Sequence, residues 1–172
     1  MGGSTMIKDN VRDAINAQMN REFFSSYLYL SMSAYFESVN LRGFAKWMQV
    51  QAQEEYAHGM KFYGYLVDQG ARVSLDAIEA PQSEWANPLV AFEHALGHEQ
   101  KVTARIHDLM ELAMSEMDHA TSGFLQWFVK EQVEEEANAT EIVFKMKLAS
   151  AEKGAVLLYL LDHKLGKRGK GS

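Results

Sequence analysis

At 172 residues the chain is long enough for one domain with a real core, and 47% hydrophobic with 23% charged residues is an ordinary composition for a soluble protein. A formal net charge of −6 argues against a nucleic-acid-coating surface, and the absence of cysteine removes disulfides, thiolate-held zinc, iron–sulfur clusters and thiol catalysis. No uninterrupted apolar run is long enough to span a bilayer, and "MGGSTMIKDN" lacks the apolar stretch of a secretory leader, so a cytoplasmic protein without membrane contact is expected.

Residues 1–6 read as a disordered end or a tag, ahead of a single domain within 1–172. The first predicted helix, 8–39, carries the stripe Ile15, Met19, Glu22, Ser26, Tyr29, Ser33 and Phe36. "NLRG" (40–43) signals a turn, and a second helix runs to about Gln69 with Phe44, Met48, Gln51, Glu55, His58, Phe62 and Tyr65 inward. Asn87–Pro88 supplies an N-cap and a proline at the first position of a third helix, striped by Phe92, Leu96, Glu99, Thr103, Ile106 and Met110. "MDHATSG" (117–123) turns into a fourth helix with Leu125, Phe128, Gln132, Glu135, Ala139, Ile142 and Met146 on one face. A short amphipathic helix, 155–166, follows the four-helix segment 7–150, and 167–172 reads as a flexible, solvated basic tail.

Helices of roughly 28 residues are about 42 Å long, and the two tight turns make them antiparallel hairpins. The connection 70–87 is long enough to cross about 59 Å at ~3.3 Å per residue. The fold expected is therefore all-α: a four-helix bundle with a long crossover between helices 2 and 3 and a short fifth helix.

Each stripe is interrupted near mid-helix by ligand-type residues. Glu22 precedes Glu55 by 33 positions and His58 by 36; Glu99 precedes Gln132 by 33 and Glu135 by 36. The halves superpose at an offset of 77, which also carries Glu54 onto Glu131. Measured from the turns near 40 and 117, all six residues fall at one depth of the bundle. Buried carboxylates are costly unless paired or metal-bound, so one cause for all the interruptions is a metal site. Glu55-x-x-His58 places both side chains on one helical face. Carboxylates with one imidazole suit iron or manganese, and the four charges of Glu22, Glu55, Glu99 and Glu135 match two divalent ions. Glu55 is the candidate bridge.

"AQMNREFFSSYLYLSMSAYF" (17–36), "QAQEEYAHGMKFYGYL" (51–66), "HEQKVTARIH" (98–107) and "FLQWFVKEQVEEE" (124–136) resemble a ferritin of the non-haem bacterial and archaeal kind, over residues 7–166. The resemblance implies a first metal site of Glu22, Glu55 and His58. It implies a second of Glu55, Glu99 and Glu135 with Gln132 nearby, and a third of Glu54, Glu131, Glu134 and Glu135. Tyr29 matches the family's tyrosine beside the two-iron centre. The implied activity is a ferroxidase that oxidises Fe(II) to Fe(III) with O2 or H2O2 and stores ferric mineral in a homo-oligomeric cage, commonly of 24 subunits. The fifth helix would then pack near a cage symmetry axis. Bacterioferritins have Glu-x-x-His where this chain has Gln132-x-x-Glu135, which loosens the second site and suggests iron passing onward. They bind haem through a Met at the position of Tyr56, so no haem is expected.

An alternative from another class is a diiron peroxidase or oxygenase that stores no iron; the rubrerythrin version is excluded by the missing cysteines. A DNA-protecting mini-ferritin lacks the fifth helix and the intrachain ligand set. A purely structural bundle leaves the level carboxylates unexplained. His94, His98, His107, His119 and His163 read as surface or turn residues, and Glu136 as solvated.

Overall fold

A computed structural model of the chain describes residues 7–150 and 154–169. Residues 1–6, 151–153 and 170–172 lie outside it, and with them the expectation of a disordered start and the end of the basic tail. The described residues form five helices: α1 (Asp9–Ser38), α2 (Arg42–Asp68), α3 (Pro88–Ser115), α4 (His119–Ala149) and α5 (Gly154–Leu165), with no strand among them. The expected all-α bundle is present. None of its helices is long and apolar enough to cross a membrane.

Local chemistry sets the helix starts. The Asn87 side chain accepts from the Val90 N–H at 3.0 Å, and Pro88 supplies a pre-set φ where no intrahelical donor is needed. Asp118 caps α4 by accepting from Thr121 N at 2.9 Å and from Thr121 Oγ1 at 2.7 Å.

The sequence offset of 77 recurs in the backbone. Residue 38 ends α1 and residue 115 ends α3; residue 42 begins α2 and residue 119 begins α4. Both hairpin turns pass through a left-handed residue, Asn40 at φ 60° and Met117 at φ 54°. Asparagine tolerates that conformation, whereas methionine has no local polar compensation for it.

The crossover runs the length of α1. Asn16 donates to Arg72 O (3.1 Å) and accepts from Ser74 N (2.7 Å). One turn further, Asn20 donates to Ser74 O (2.9 Å) and accepts from Asp76 N (2.9 Å). Near the far end Ser31 donates to Gln82 O at 2.7 Å. Each asparagine thus satisfies a carbonyl and an amide of a segment that has no ladder of its own. Buried Trp85 anchors its end, donating through Nε1 to His94 Nδ1 at 2.9 Å. Hence α2 and α3 are parallel, as the length of the loop predicts.

The core is split. One apolar cluster holds Ile15, Met19, Phe62, Leu66, Ile106, Leu125 and Phe128. The other holds Met32, Phe36, Phe44, Met48, Phe92 and Met146, and takes in Leu161 and Leu165 of α5. Between them lie buried Glu22, Ser25, Gln51, Glu55, His58, His98, Glu99, Gln132 and Glu135.

The end of α5 docks on the start of α2. Asp162 Oδ1 accepts from the Phe44 N–H at 2.9 Å, a carboxylate placed at a helix N-terminus. A Cβ on Gly43 would sit 1.7 Å from Asp162 O, so only glycine permits this approach.

Candidate metal centre

The mid-bundle polar layer is built by all four long helices. α1 contributes Glu22 and Tyr29, α2 Gln51, Glu55 and His58, α3 Glu99, and α4 Gln132 and Glu135; all are buried. Three groups of ligand atoms come together, each within 4.8 Å of one another: Glu22–Glu55–His58, Glu55–Glu99–Glu135 and His58–Glu131–Glu135. Glu55 belongs to the first two. Oxygen and nitrogen ligands about 2.1 Å from an ion stand up to about 4 Å apart, so small side-chain rotations close each group on a cation.

The hydrogen bonds stop short of satisfying the layer. Gln18 donates to Glu22 Oε1 at 2.9 Å, while Glu22 Oε2 and Gln18 Oε1 are buried without a partner among the described residues. Gln51 donates to Glu55 Oε1 (3.2 Å) and Glu135 Oε2 (2.8 Å). The Tyr29 hydroxyl donates to Glu99 Oε1, and Gln132 Nε2 donates to Glu99 Oε2 at 3.1 Å. His58 Nδ1 lies 3.4 Å from Glu55 Oε2. Four carboxyl groups therefore share a few neutral donors and one imidazole. At an effective dielectric of ~20, two like charges 4 Å apart repel by about 4 kcal/mol, and desolvation adds to that.

The carboxyl groups consequently resist ionisation. Burial pushes Glu22 and Glu55 well above the usual carboxylate range, and the charges of Glu55 and of Glu99, respectively, push further. Burial raises Glu99 despite the bonds from Tyr29 and Gln132. Glu135 is raised to about 7 by burial and by Glu99. The Tyr29 hydroxyl is held protonated by burial and the neighbouring Glu99. A layer that holds protons where bare anions are too costly is suited to exchanging them for a cation.

The structure brings the expected inner residues together and places some of the others apart. Glu54, Glu131 and Glu134 do not converge: Glu54 is half-buried in an ion pair with Arg168, Glu131 joins His58 and Glu135, and Glu134 is exposed. Glu136, expected in solvent, is half-buried. His98 is not a surface residue. It is buried, shares a 2.7 Å hydrogen bond between its Nε2 and Ser25 Oγ, and packs edge-on against Tyr29. Burial and the nearby Arg105 lower its pKa to about 4, so it is neutral. Gln18 went unnoticed, although it precedes Glu22 by four residues as Gln51 precedes Glu55.

The Ferritin family model, described as a ferritin-like domain, matches residues 12–149. A bacterial non-heme ferritin of Bacteroides fragilis (strain 638R) is 42% identical over 163 residues, covering 95% of this chain and 100% of that protein. One from Staphylococcus aureus (strain MRSA252) is 39% identical over 164 residues, 95% of this chain and 97% of that protein. An open pore ferritin from the hyperthermophilic archaeon Archaeoglobus fulgidus superposes with a TM-score of 0.90 at 52% identity, over 94% of this chain and 99% of that one. With a family model spanning most of its length and relatives this similar from end to end, the chain belongs to the ferritin family.

Proposed function

We propose that this protein stores and detoxifies iron as a ferroxidase. The observation that carries the reading is the buried layer in which Glu55 is common to Glu22–Glu55–His58 and Glu55–Glu99–Glu135, with Glu22 Oε2 left unpartnered. Glu22, Glu55 and His58 take one ferrous ion; Glu55, Glu99 and Glu135, with Gln132 beside them, take the second. Glu55 bridges. The non-heme ferritin relatives support iron as the substrate.

Arrival of two divalent ions displaces the protons held on the raised carboxyl groups. The two ferrous ions then give one electron each. With O2 and two protons the product is H2O2; with H2O2 and two protons it is two waters. Tyr29, hydrogen-bonded to Glu99, is placed to orient that carboxylate and to supply a proton or an electron. Gln132 donates to Glu99 where bacterioferritins have a bridging carboxylate, and Glu135 stands where they have a histidine, so the second ion is less tightly held and able to move on as Fe(III). Glu131 and Glu135, already within reach of each other, would be joined by Glu54 and Glu134 on a third, outer ion along that route.

The product is a ferric mineral inside a cytoplasmic homo-oligomeric cage of 24 subunits, without haem. Exposed apolar side chains on α1, α2 and the crossover (Tyr27, Leu30, Tyr56, Met60, Leu75 and Ile78) and on α5 (Val156, Tyr159 and Leu160) support burial between subunits. Aerobic loading with tens of ferrous ions per chain, followed by gel filtration and electron microscopy, tests this. A large hollow particle with an electron-dense core is expected. A small oligomer that retains only a few irons per chain would instead favour a diiron peroxidase or oxygenase.

A further inference from the structure

Beyond α5 the chain turns back along α2 and brings Arg168 to three side chains on one face of that helix. The guanidinium carbon lies 4.3 Å above the centre of the Trp47 ring. Nη1 donates to Gln51 Oε1 at 2.9 Å, and Nη2 pairs with Glu54 Oε2. Trp47, Gln51 and Glu54 are spaced by four and three residues, so they form a continuous strip leading toward the metal layer. The seat is built, not a chance surface contact. Gln51 is 1% exposed, and both ends of its amide are used: Oε1 accepts from Arg168, while Nε2 donates to Glu55 and Glu135. A guanidinium has only donors, so Gln51 must face it with the amide oxygen, which leaves the amide nitrogen to donate to Glu55 and Glu135. The docking of Asp162 and Gly43 fixes the start of the path that brings Arg168 there.

We propose that Arg168 is a tethered cation standing in for the third metal ion, so that an ion entering at Glu54, Glu131, Glu134 and Glu135 must displace its guanidinium from Glu54. The proposal rests on the third-site reading above. While the outer site is empty, Arg168 neutralises Glu54 and holds that carboxylate away from Glu131 and Glu135. An incoming divalent or trivalent ion competes with a single positive charge that is part of the chain. Third-ion affinity is therefore set by this contest as well as by the ligands; of those ligands only Glu135 is shared with the inner pair, and Arg168 touches none of the inner ligands directly.

Anaerobic calorimetric titration of the apoprotein with Zn(II), a redox-inert probe, tests it in the wild type and in Arg168→Gln, Arg168→Lys and Glu54→Gln. Removing a partly exposed ion pair should tighten the third, weakest Zn(II) by roughly two- to fivefold in Arg168→Gln. Arg168→Lys should fall between, and the two tightest sites should be unchanged. Glu54→Gln should abolish the third event. If Glu54→Gln abolishes it and Arg168→Gln leaves its affinity equal or weaker, the competition is refuted while the third site stands. If no third Zn(II) binds to the wild type or to Arg168→Gln, the third-site reading fails and the proposal with it.

Discussion

Glu135→Gln is expected to stabilise the metal-free protein while impairing metal binding. Glu135 titrates at about 7 in the folded chain, against 4.5 for an ordinary glutamate, because it is buried beside Glu99. The folded state thus binds more protons than the unfolded state between those values, and stability falls as pH rises through the window. A pKa one unit higher in the folded than in the unfolded chain is worth about 1.4 kcal/mol, so by pH 8 ionised Glu135 costs the apoprotein about 3 kcal/mol. Glutamine keeps an oxygen for the Gln51 donor and removes the ionisation. For a chain of this size each kcal/mol moves the midpoint by about 2–4 °C, giving about 6–12 °C at pH 8. At pH 4.5 Glu135 is neutral in the folded state and only half ionised in the unfolded one, and the difference should shrink below about 0.5 kcal/mol. Thermal unfolding of apo wild type and apo Glu135→Gln at the two pH values measures this. A variant less stable than wild type at pH 8, or a gain equal at both pH values, would refute the reasoning. With Zn(II) present the order should reverse, because only the wild type keeps the full ligand set.

Two further substitutions test the frame that levels the centre. Gly43→Ala places a Cβ 1.7 Å from Asp162 O and should lower stability by about 2 kcal/mol or more, read as a reduced unfolding midpoint and faster proteolysis of α5. Met117→Asn puts the residue of the first hairpin turn into its counterpart, at φ 54° and 76% exposed, and should raise stability by about 0.5–1 kcal/mol in the same assay.

The inner site was legible because it is written twice. Helices of equal length around equivalent turns convert a 33- and 36-residue spacing into a single depth, so Glu22, Glu55, His58, Glu99, Gln132 and Glu135 could be placed together without coordinates. The crossover was legible from its length, though not its ties to Asn16 and Asn20, since two isolated polar residues leave no periodic signal. His98 escaped notice because an apolar-face histidine and a surface histidine look alike without the partner, here Ser25 on another helix. The placement of the outer acids was not legible for a different reason. Periodicity assigns Glu131, Glu134 and Glu136 to angles around a helix, but exposure depends on what covers each angle. Arg168 was read as part of a solvated tail because its docking depends on Gly43 and Trp47, residues far away in sequence, and on Asp162 meeting the start of α2.

The most direct measurement is the number of ferrous ions oxidised in the first fast phase after anaerobically loaded protein meets O2. Two per chain are expected in the wild type, and none in Glu55→Ala, which removes the carboxylate common to both groups. A fast phase of the same amplitude and rate in Glu55→Ala would contradict the assignment of the centre.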